Sequence, residues 1–178
     1  MKKNDLPSNI PIFPLSNAIF FPKTILPLNI FEDRYIQLIE DCMKGKRIFG
    51  MVQPKKKLSS TPEVYQVGCL GKIVTFNEAS DKRFIISLSG ISRFKIKKEL
   101  KTDKLYRIFS VDYSDFIDDF EFKKNNIVSF NKNILLKKVK IFFNKLNYSL
   151  EFNELLKLDF DQLVNTVSMV APFSGEEK

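Results

Sequence analysis

The chain contains no histidine. That removes the commonest general base together with the commonest metal ligand, and most hydrolase readings go with them. Cysteine is nearly as scarce. Cys42 and Cys69 are the only two, far apart, with no CxxC spacing and too few for a structural zinc site. Such thiols read as plain buried residues and favour a reduced, cytoplasmic setting. No run reaches the roughly 18 apolar residues of a membrane-spanning helix, so no membrane partner is expected. Lysines do precede an apolar stretch in MKKNDLPSNIPIFPL, as in an export signal, but Pro7, Pro11 and Pro14 interrupt it.

Nucleotide-binding glycines are missing too. A phosphate loop needs GxxxxGK[ST], so that backbone amides cradle phosphate and the lysine reaches it. Gly71-Lys72 is followed by Ile73 and Gly45-Lys46 by Arg47, with no glycine at the required distance before either. The acidic pairs Glu32–Asp33 and Glu40–Asp41 are neighbours on a predicted helix and point apart. The expectation is a non-catalytic protein without metal or cofactor.

What is present suits a folded domain. The 178 residues are 44% hydrophobic and 28% charged, enough to bury a real core. The net charge of +8 is unevenly spread. Twenty Lys and Arg face eleven Asp and Glu through Tyr113, and nine face ten beyond it. Most are lysines beside abundant Asn, Ile and Phe, a combination that an A/T-rich coding sequence also produces. A solvated lysine surface is therefore favoured over a dedicated RNA-binding face. The densest basic cluster, Lys55 to Lys57, lies in PKKKLSSTP (54–62), which has loop composition and no stacking ring interleaved.

In chain order, Ile12 to Leu28 is large and apolar but punctuated by Pro14, Pro22 and Pro27. It predicts short extended pieces joined by turns. From Phe31 the spacing turns helical, with Tyr35, Ile36, Leu38, Ile39 and Met43 on one side and two acids in the first turn. Arg47 to Val52 reads as a central strand ended by Pro54. Val64 to Phe76 is a strand whose interior Gly68 and Gly71 suggest bends or bulges, and the polar NEASDK (77–82) turns it into the next. From Phe84 the even positions Ile86, Leu88, Phe94 and Ile96 are apolar, and this period of two continues across Gly90. Leu105, Phe109, Val111 and Tyr113 alternate likewise. Six or so short strands with one early helix predict a small closed or half-closed barrel.

Strand patterning stops at the acidic junction Asp115–Asp119. Val128, Leu135, Val139, Phe142 and Leu146, widened by Ile127, Phe130, Ile134 and Ile141, predict a helix of about twenty-five residues with one apolar side. Leu155, Leu156 and Leu158 suggest a second short helix. Asp159 with Gln162 forms a capping-box pattern opening a third, which carries Leu163, Val164, Val167 and Val170. The domains are thus drawn as a barrel over 1–116 and a helical part over 117–178. In Pro172-Phe-Ser174-Gly-Glu-Glu177, Ser174 reads as the start of a helix not continued, in either a shortened chain or a frayed tail.

The segment FPLSNAIFFPKTILPLNIFEDRY resembles the signature of the Lon protease N-terminal domain. Phe13, Pro14, Leu15, Phe21, Pro22, Leu26, Pro27, Leu28, Ile30, Phe31, Glu32, Arg34 and Tyr35 fall on it. Phe49-Gly50, Val67-Gly68, Gly90 and Arg93-Phe94 extend the likeness, which runs from about Ile10 to Tyr113. PFS-x-EEK matches free-standing versions of the domain. The resemblance implies an α+β fold, a PUA-like β pseudo-barrel with one early helix followed by a C-terminal α-helical bundle. It also implies a stand-alone form, since the family's ATPase module and serine–lysine peptidase have no counterpart motif here.

The function so implied is recognition of unfolded or damaged polypeptide, with a protease or ATPase as a working partner. An RNA-binding PUA-like protein using the basic barrel half is the alternative, and a module that associates with itself is a third. Capture of unfolded chains needs an exposed apolar patch or an open strand edge. Two places offer themselves: the loop Ala18–Pro22 with Phe20 and Phe21, and the outer face of the first helix with Asp33, Arg34, Gln37, Glu40 and Lys44. Phe20 has burial under the C-terminal helices as its equal alternative. Pro14, Pro22, Pro27, Phe31, Glu32, Tyr35, Gly68, Gly90, Arg93 and Phe94 are assigned to the fold. Glu32, Arg34 and Arg93 are expected to form ion pairs or hydrogen bonds that brace helix against barrel.

Overall fold

The computed structural model describes residues 5–16, 18–55, 62–120 and 131–173. Strand β1 (Asn9–Pro14) is followed by β2 (Ile25–Ile30), helix α1 (Asp33–Met43), β3 (Ile48–Pro54), β4 (Val64–Glu78), β5 (Phe84–Leu100) and β6 (Arg107–Asp112). The sheet runs β2-β5-β4-β3-β1-β6, and β6 also pairs with the second half of β5. Five strands therefore close into a barrel, with β2 as a flanking strand on the first half of β5. All pairings are antiparallel except β1 with β3. The strands are not uniformly short: β4 has 15 residues and β5 has 17.

Alternation builds the core. On β5, Phe84, Ile86, Leu88, Gly90, Ser92 and Phe94 point inward and are buried. One barrel core joins Ile10, Ile12, Ile48, Val52, Leu70, Phe94, Phe109, Val111 and Tyr113. Phe94 fills the space left by Gly68, where any Cβ would collide with the Phe94 ring, Val52 and the Met51 carbonyl. The ladder between β4 and β5 slips between Leu70 and Gly71 and again between Ile73 and Thr75, and such bulges let a sheet curl. Leu105, expected to share the β6 alternation, precedes that strand and is exposed.

Gly90 is where the proline-rich entry crosses the barrel. Its N–H donates to the Thr24 carbonyl at 2.9 Å, and its carbonyl accepts from Lys23 N–H at 3.0 Å. A side chain there would overlap the Phe21 carbonyl oxygen and crowd Pro22. Thr24 is buried and closes the crossing with a 2.7 Å hydrogen bond from its hydroxyl to the same Phe21 carbonyl.

The chain divides into two compact units, Met1–Glu121 and Phe122–Lys178, a few residues beyond the expected 116/117 boundary. The reason is the 3-10 segment Ser114–Asp119, which stays with the barrel. Asp119 receives the Arg93 backbone N–H at 2.8 Å and its guanidinium at 3.1 and 2.8 Å. Arg93 also lies over the Phe116 ring. It braces this segment rather than helix α1, as had been expected.

The second unit holds α2 (Lys132–Lys145), α3 (Phe152–Lys157) and α4 (Phe160–Val170). Its two small cores are Leu136 with Leu155 and Leu163, and Val139 with Phe143 and Ala171. The buried stripe of α2 is thus Leu136, Val139 and Phe143. Of the expected stripe, Val139 is buried and Leu135 partly so, whereas Phe142 and Leu146 are exposed with Ile134 and Ile141. Ile127, Val128 and Phe130, like the Ser174–Glu177 helix start, lie outside the described residues. Asp159 caps α4 reciprocally: its carboxylate accepts from Gln162 N–H at 2.8 Å, and the Gln162 amide oxygen accepts from Asp159 N–H at 3.2 Å.

Two substitutions probe these joints. Gly90→Ala should lower unfolding stability by about 1–3 kcal/mol, because the obstructing atoms are backbone, as measured by urea denaturation. Asp159→Ala should cost the helical unit about 1 kcal/mol, read as faster amide exchange across residues 160–164 with the barrel amides unchanged.

Candidate functional site

A concavity of about 630 Å³ lies where β1 ends, β2 passes into α1, and the chain enters β6. Its walls are Ile12 to Ser16, Asn29 to Glu32 with Arg34 and Tyr35, Pro54, Pro62, and Leu105 to Arg107. Local chemistry explains the shape. Prolines at 14, 54 and 62 end their strands or lie outside them and cannot continue a ladder, so the barrel rim stays open here. Two aromatic rings of its lining are in contact: Phe13 and Tyr35 stack with ring centroids 4.0 Å apart.

Phe31 stands at the rim and is 65% exposed. Sequence reading had assigned it to the fold. The alternation of β2 turns Ile30 inward and leaves the next side chain outward just before α1 begins. It is an anchor-sized ring with water on most of its surface.

Both arginines at the groove are already neutralised. Arg34 donates to Glu32 through Nε at 2.9 Å and Nη2 at 2.7 Å, and its guanidinium lies over the Tyr35 ring. The Glu32–Arg34 pair is local to the helix entry and does not tie helix to barrel. Arg107 donates to both Glu99 carboxylate oxygens at 2.7 Å and to the Pro62 carbonyl at 2.8 Å. These bonds hold Glu99 ionised below the usual carboxylate range, the Arg107 hydrogen bonds being the largest cause. The groove surface is mixed, more apolar than polar, with its arginines paired to carboxylates.

Residues 104–106, which lead into the groove wall, are tied to α1. The Leu105 N–H donates to the Gln37 side-chain oxygen at 2.8 Å. The Tyr106 hydroxyl donates to Asp41 at 3.0 Å, and Lys104 and Lys44 also pair with Asp41, at 3.1 and 3.2 Å. Hydrogen bonding from Lys104 leads in lowering the Asp41 pKa. Gln37 is thus bonded within the chain through its side-chain oxygen. Asp33 remains exposed, and Arg34 serves the groove edge.

The Ala18–Pro22 loop divides differently from expectation. Phe20 is only 6% exposed, and its ring fills the gap over Gly71 next to Leu88, within the barrel. It packs into the barrel and also borders a small cavity beside Phe21. Phe21 is half-buried and, with Ala18, Ile19, Gln53, Cys69 and Arg93, lines a second cavity of about 160 Å³. Gln53 pins this loop by donating to the Ala18 carbonyl at 2.6 Å.

Neither thiol is poised for chemistry. Burial pushes the Cys42 thiol up to about 12, and burial raises Cys69 as well. Among the described residues there is no cluster of three or more carboxylates and cysteines able to hold a metal ion, and no helix long and apolar enough to cross a membrane. Lys55 pairs with Glu63 at 3.2 Å, while Lys56 and Lys57 lie outside the described residues.

Residues 9–178 match the family described as the ATP-dependent protease La (LON) substrate-binding domain. The chain belongs to that family. It is 30% identical over 127 residues to a Lon protease of Anaeromyxobacter dehalogenans, covering 68% of this chain and 15% of that one. It is 35% identical over 102 residues to a Lon protease of Desulfosudis oleivorans, covering 55% and 12%. The chain thus spans less than a sixth of the length of these bacterial relatives, and the family match is to their substrate-binding domain, not to an ATPase or peptidase module. The Lon N-terminal domain protein from Xanthomonas campestris shares the fold, with a TM-score of 0.56 at 19% identity, covering 93% of this chain and 100% of that one. So does the N-terminal domain of Mycobacterium avium complex Lon protease, with a TM-score of 0.61 at 12% identity, covering 95% and 86%. The Lon-type barrel with a C-terminal helical part is the architecture described above.

Sequence reasoning found the motif that builds the groove, Phe13 included, but missed Leu105, Tyr106 and Arg107 as its walls. No local signal marks them, because they meet the 29–35 segment only when the barrel closes.

Lowering pH tests the wall. Because the Asp41 pKa is lowered on folding, its contribution is fully present above the unfolded carboxylate value of about 3.9 and is lost as pH falls through the lower folded value. Asp41→Asn should therefore flatten the acid-side fall of melting temperature below about pH 4. It should also speed Leu105 amide exchange at neutral pH.

Proposed function

We propose that this chain is a non-catalytic polypeptide-binding domain that takes apolar side chains of unfolded or damaged protein into the 630 Å³ groove beneath Phe31. The observation that carries this reading is the pairing of an exposed aromatic rim with two arginines whose charge is already met by Glu32 and Glu99. A pocket of this size, more apolar than polar, suits side-chain capture. A phosphate binder would need uncommitted cations, since its affinity comes from neutralising phosphates. Membership of the Lon substrate-binding family supports the same class of ligand, and it supports ATPase and peptidase modules as the working partners. Two buried, unreactive thiols support a cytoplasmic setting.

The test is fluorescence anisotropy with labelled β-casein as the unfolded probe. Phe31→Ser should weaken binding about tenfold, since fully burying a phenylalanine is worth about 1.5–3 kcal/mol, while leaving the melting temperature unchanged. Raising salt from about 50 to 200 mM should change affinity less than twofold. A fall of several orders of magnitude would instead mark a nucleic-acid binder. Unaltered binding in Phe31→Ser would remove the groove from the mechanism. Phe20→Ser is no test of recognition, because it opens the core.

A further inference from the structure

Strand β2 has a neighbour, β5, on one side only; no strand of the described residues pairs with its other edge. We infer that this open edge docks an extended segment of unfolded polypeptide, which adds to the sheet by backbone hydrogen bonds. The inference rests on the polypeptide-binding reading above and specifies how the chain is held.

The direction of each backbone group follows from the ladder. Gly90 turns both its N–H and its carbonyl toward the β2 side, to Thr24 and Lys23. Bonded and unbonded pairs alternate along an antiparallel ladder. In the observed register, Leu26 opposite Leu88, Leu28 opposite Ile86 and Ile30 opposite Phe84 are therefore the bonded pairs. Ile25, Pro27 and Asn29 carry their backbone groups the other way. Pro27 agrees independently, since it has no N–H to give the β5 ladder and stands where none is needed. The edge thus presents two donors, at Ile25 and Asn29, and three carbonyl acceptors, at Ile25, Pro27 and Asn29.

Edge strands are commonly guarded by charge, and these three positions carry none. All three side chains are exposed, Ile25 at 52%. At its far end the edge runs through Asn29 and Ile30 to Phe31, which are groove wall, so a strand laid along β2 delivers its next side chains into the groove. Pro27 also selects the occupant. Two copies of β2 pairing centrally and antiparallel would set Pro27 against Pro27 and lose two bonds together. A foreign strand opposite Pro27 loses one and keeps its own N–H bonded to the Pro27 carbonyl.

Amide hydrogen exchange of the full chain with and without β-casein tests this. Binding should slow exchange at Ile25 and Asn29 at least tenfold, with the Leu26 and Leu28 amides unchanged. Ile25→Pro and Asn29→Pro each delete one outward donor without touching the ladder, and each should weaken casein binding about fivefold, whereas Ile25→Val should stay within twofold. If either proline variant fails to fold, the exchange data on the unaltered chain decide. The inference falls if the two amides stay fast with casein bound, or if folded proline variants bind normally. It also falls if both amides are already protected without casein: a concentration-dependent effect would mean a second copy, a concentration-independent one a segment of the same chain. Binding lost in Phe31→Ser but normal in both proline variants would keep the groove and overturn only the added strand. No casein binding at all would overturn both.

Discussion

Strand β5 is the constraint on which the barrel depends. Its seventeen residues pair with β4 along most of their length, with β2 in the first half and with β6 in the second. The inward row from Phe84 to Phe94 therefore supplies the core, and Lys95 to Leu100 after it supply the seam with β6 that closes the ring. Gly90 sits in the middle of that row and is the place where the Phe21–Thr24 crossing touches down. A side chain at this point would lift the entry segment away and with it the start of β2. The groove would follow, because β2 hands its chain directly to Phe31 and the first turn of α1.

The same economy of parts governs the charges. The barrel half carries most of the excess positive charge, yet the arginines placed at structural joints are each met by a carboxylate: Arg34 by Glu32, Arg93 by Asp119, Arg107 by Glu99. The Arg34–Glu32 pair is exposed on both sides and adds little stability. Each of the three pairs leaves its guanidinium with a carboxylate partner inside the chain. Arg93 has an added structural task, since it holds Asp119 and stacks on Phe116, keeping the 3-10 segment with the barrel.

What could be read from the chain beforehand was local. The period of two across Gly90 gave β5 its inward row, and the Asp159–Gln162 spacing located a capping box that forms bond for bond. The signature FPLSNAIFFPKTILPLNIFEDRY located the entry strands and α1. Choices between adjacent apolar residues were not legible. Phe20 rather than Phe21 goes inside because Gly71, fifty residues later, leaves room for one ring. Phe143 rather than Phe142 is buried because Ala171 and Val139 complete its site. The open edge of β2 and the walls at Leu105–Arg107 are consequences of strand order, which no short pattern encodes.

The two cysteines give the molecule a built-in reporter. Both lie in the barrel unit, in the core, protonated at any ordinary pH, and a protonated thiol is a poor nucleophile. While the barrel is shut, oxidants and alkylating reagents have nothing to act on, and when it opens both sulfurs become available. Thiol reactivity thus clocks how often the barrel opens, separately from any event in the cysteine-free helical unit.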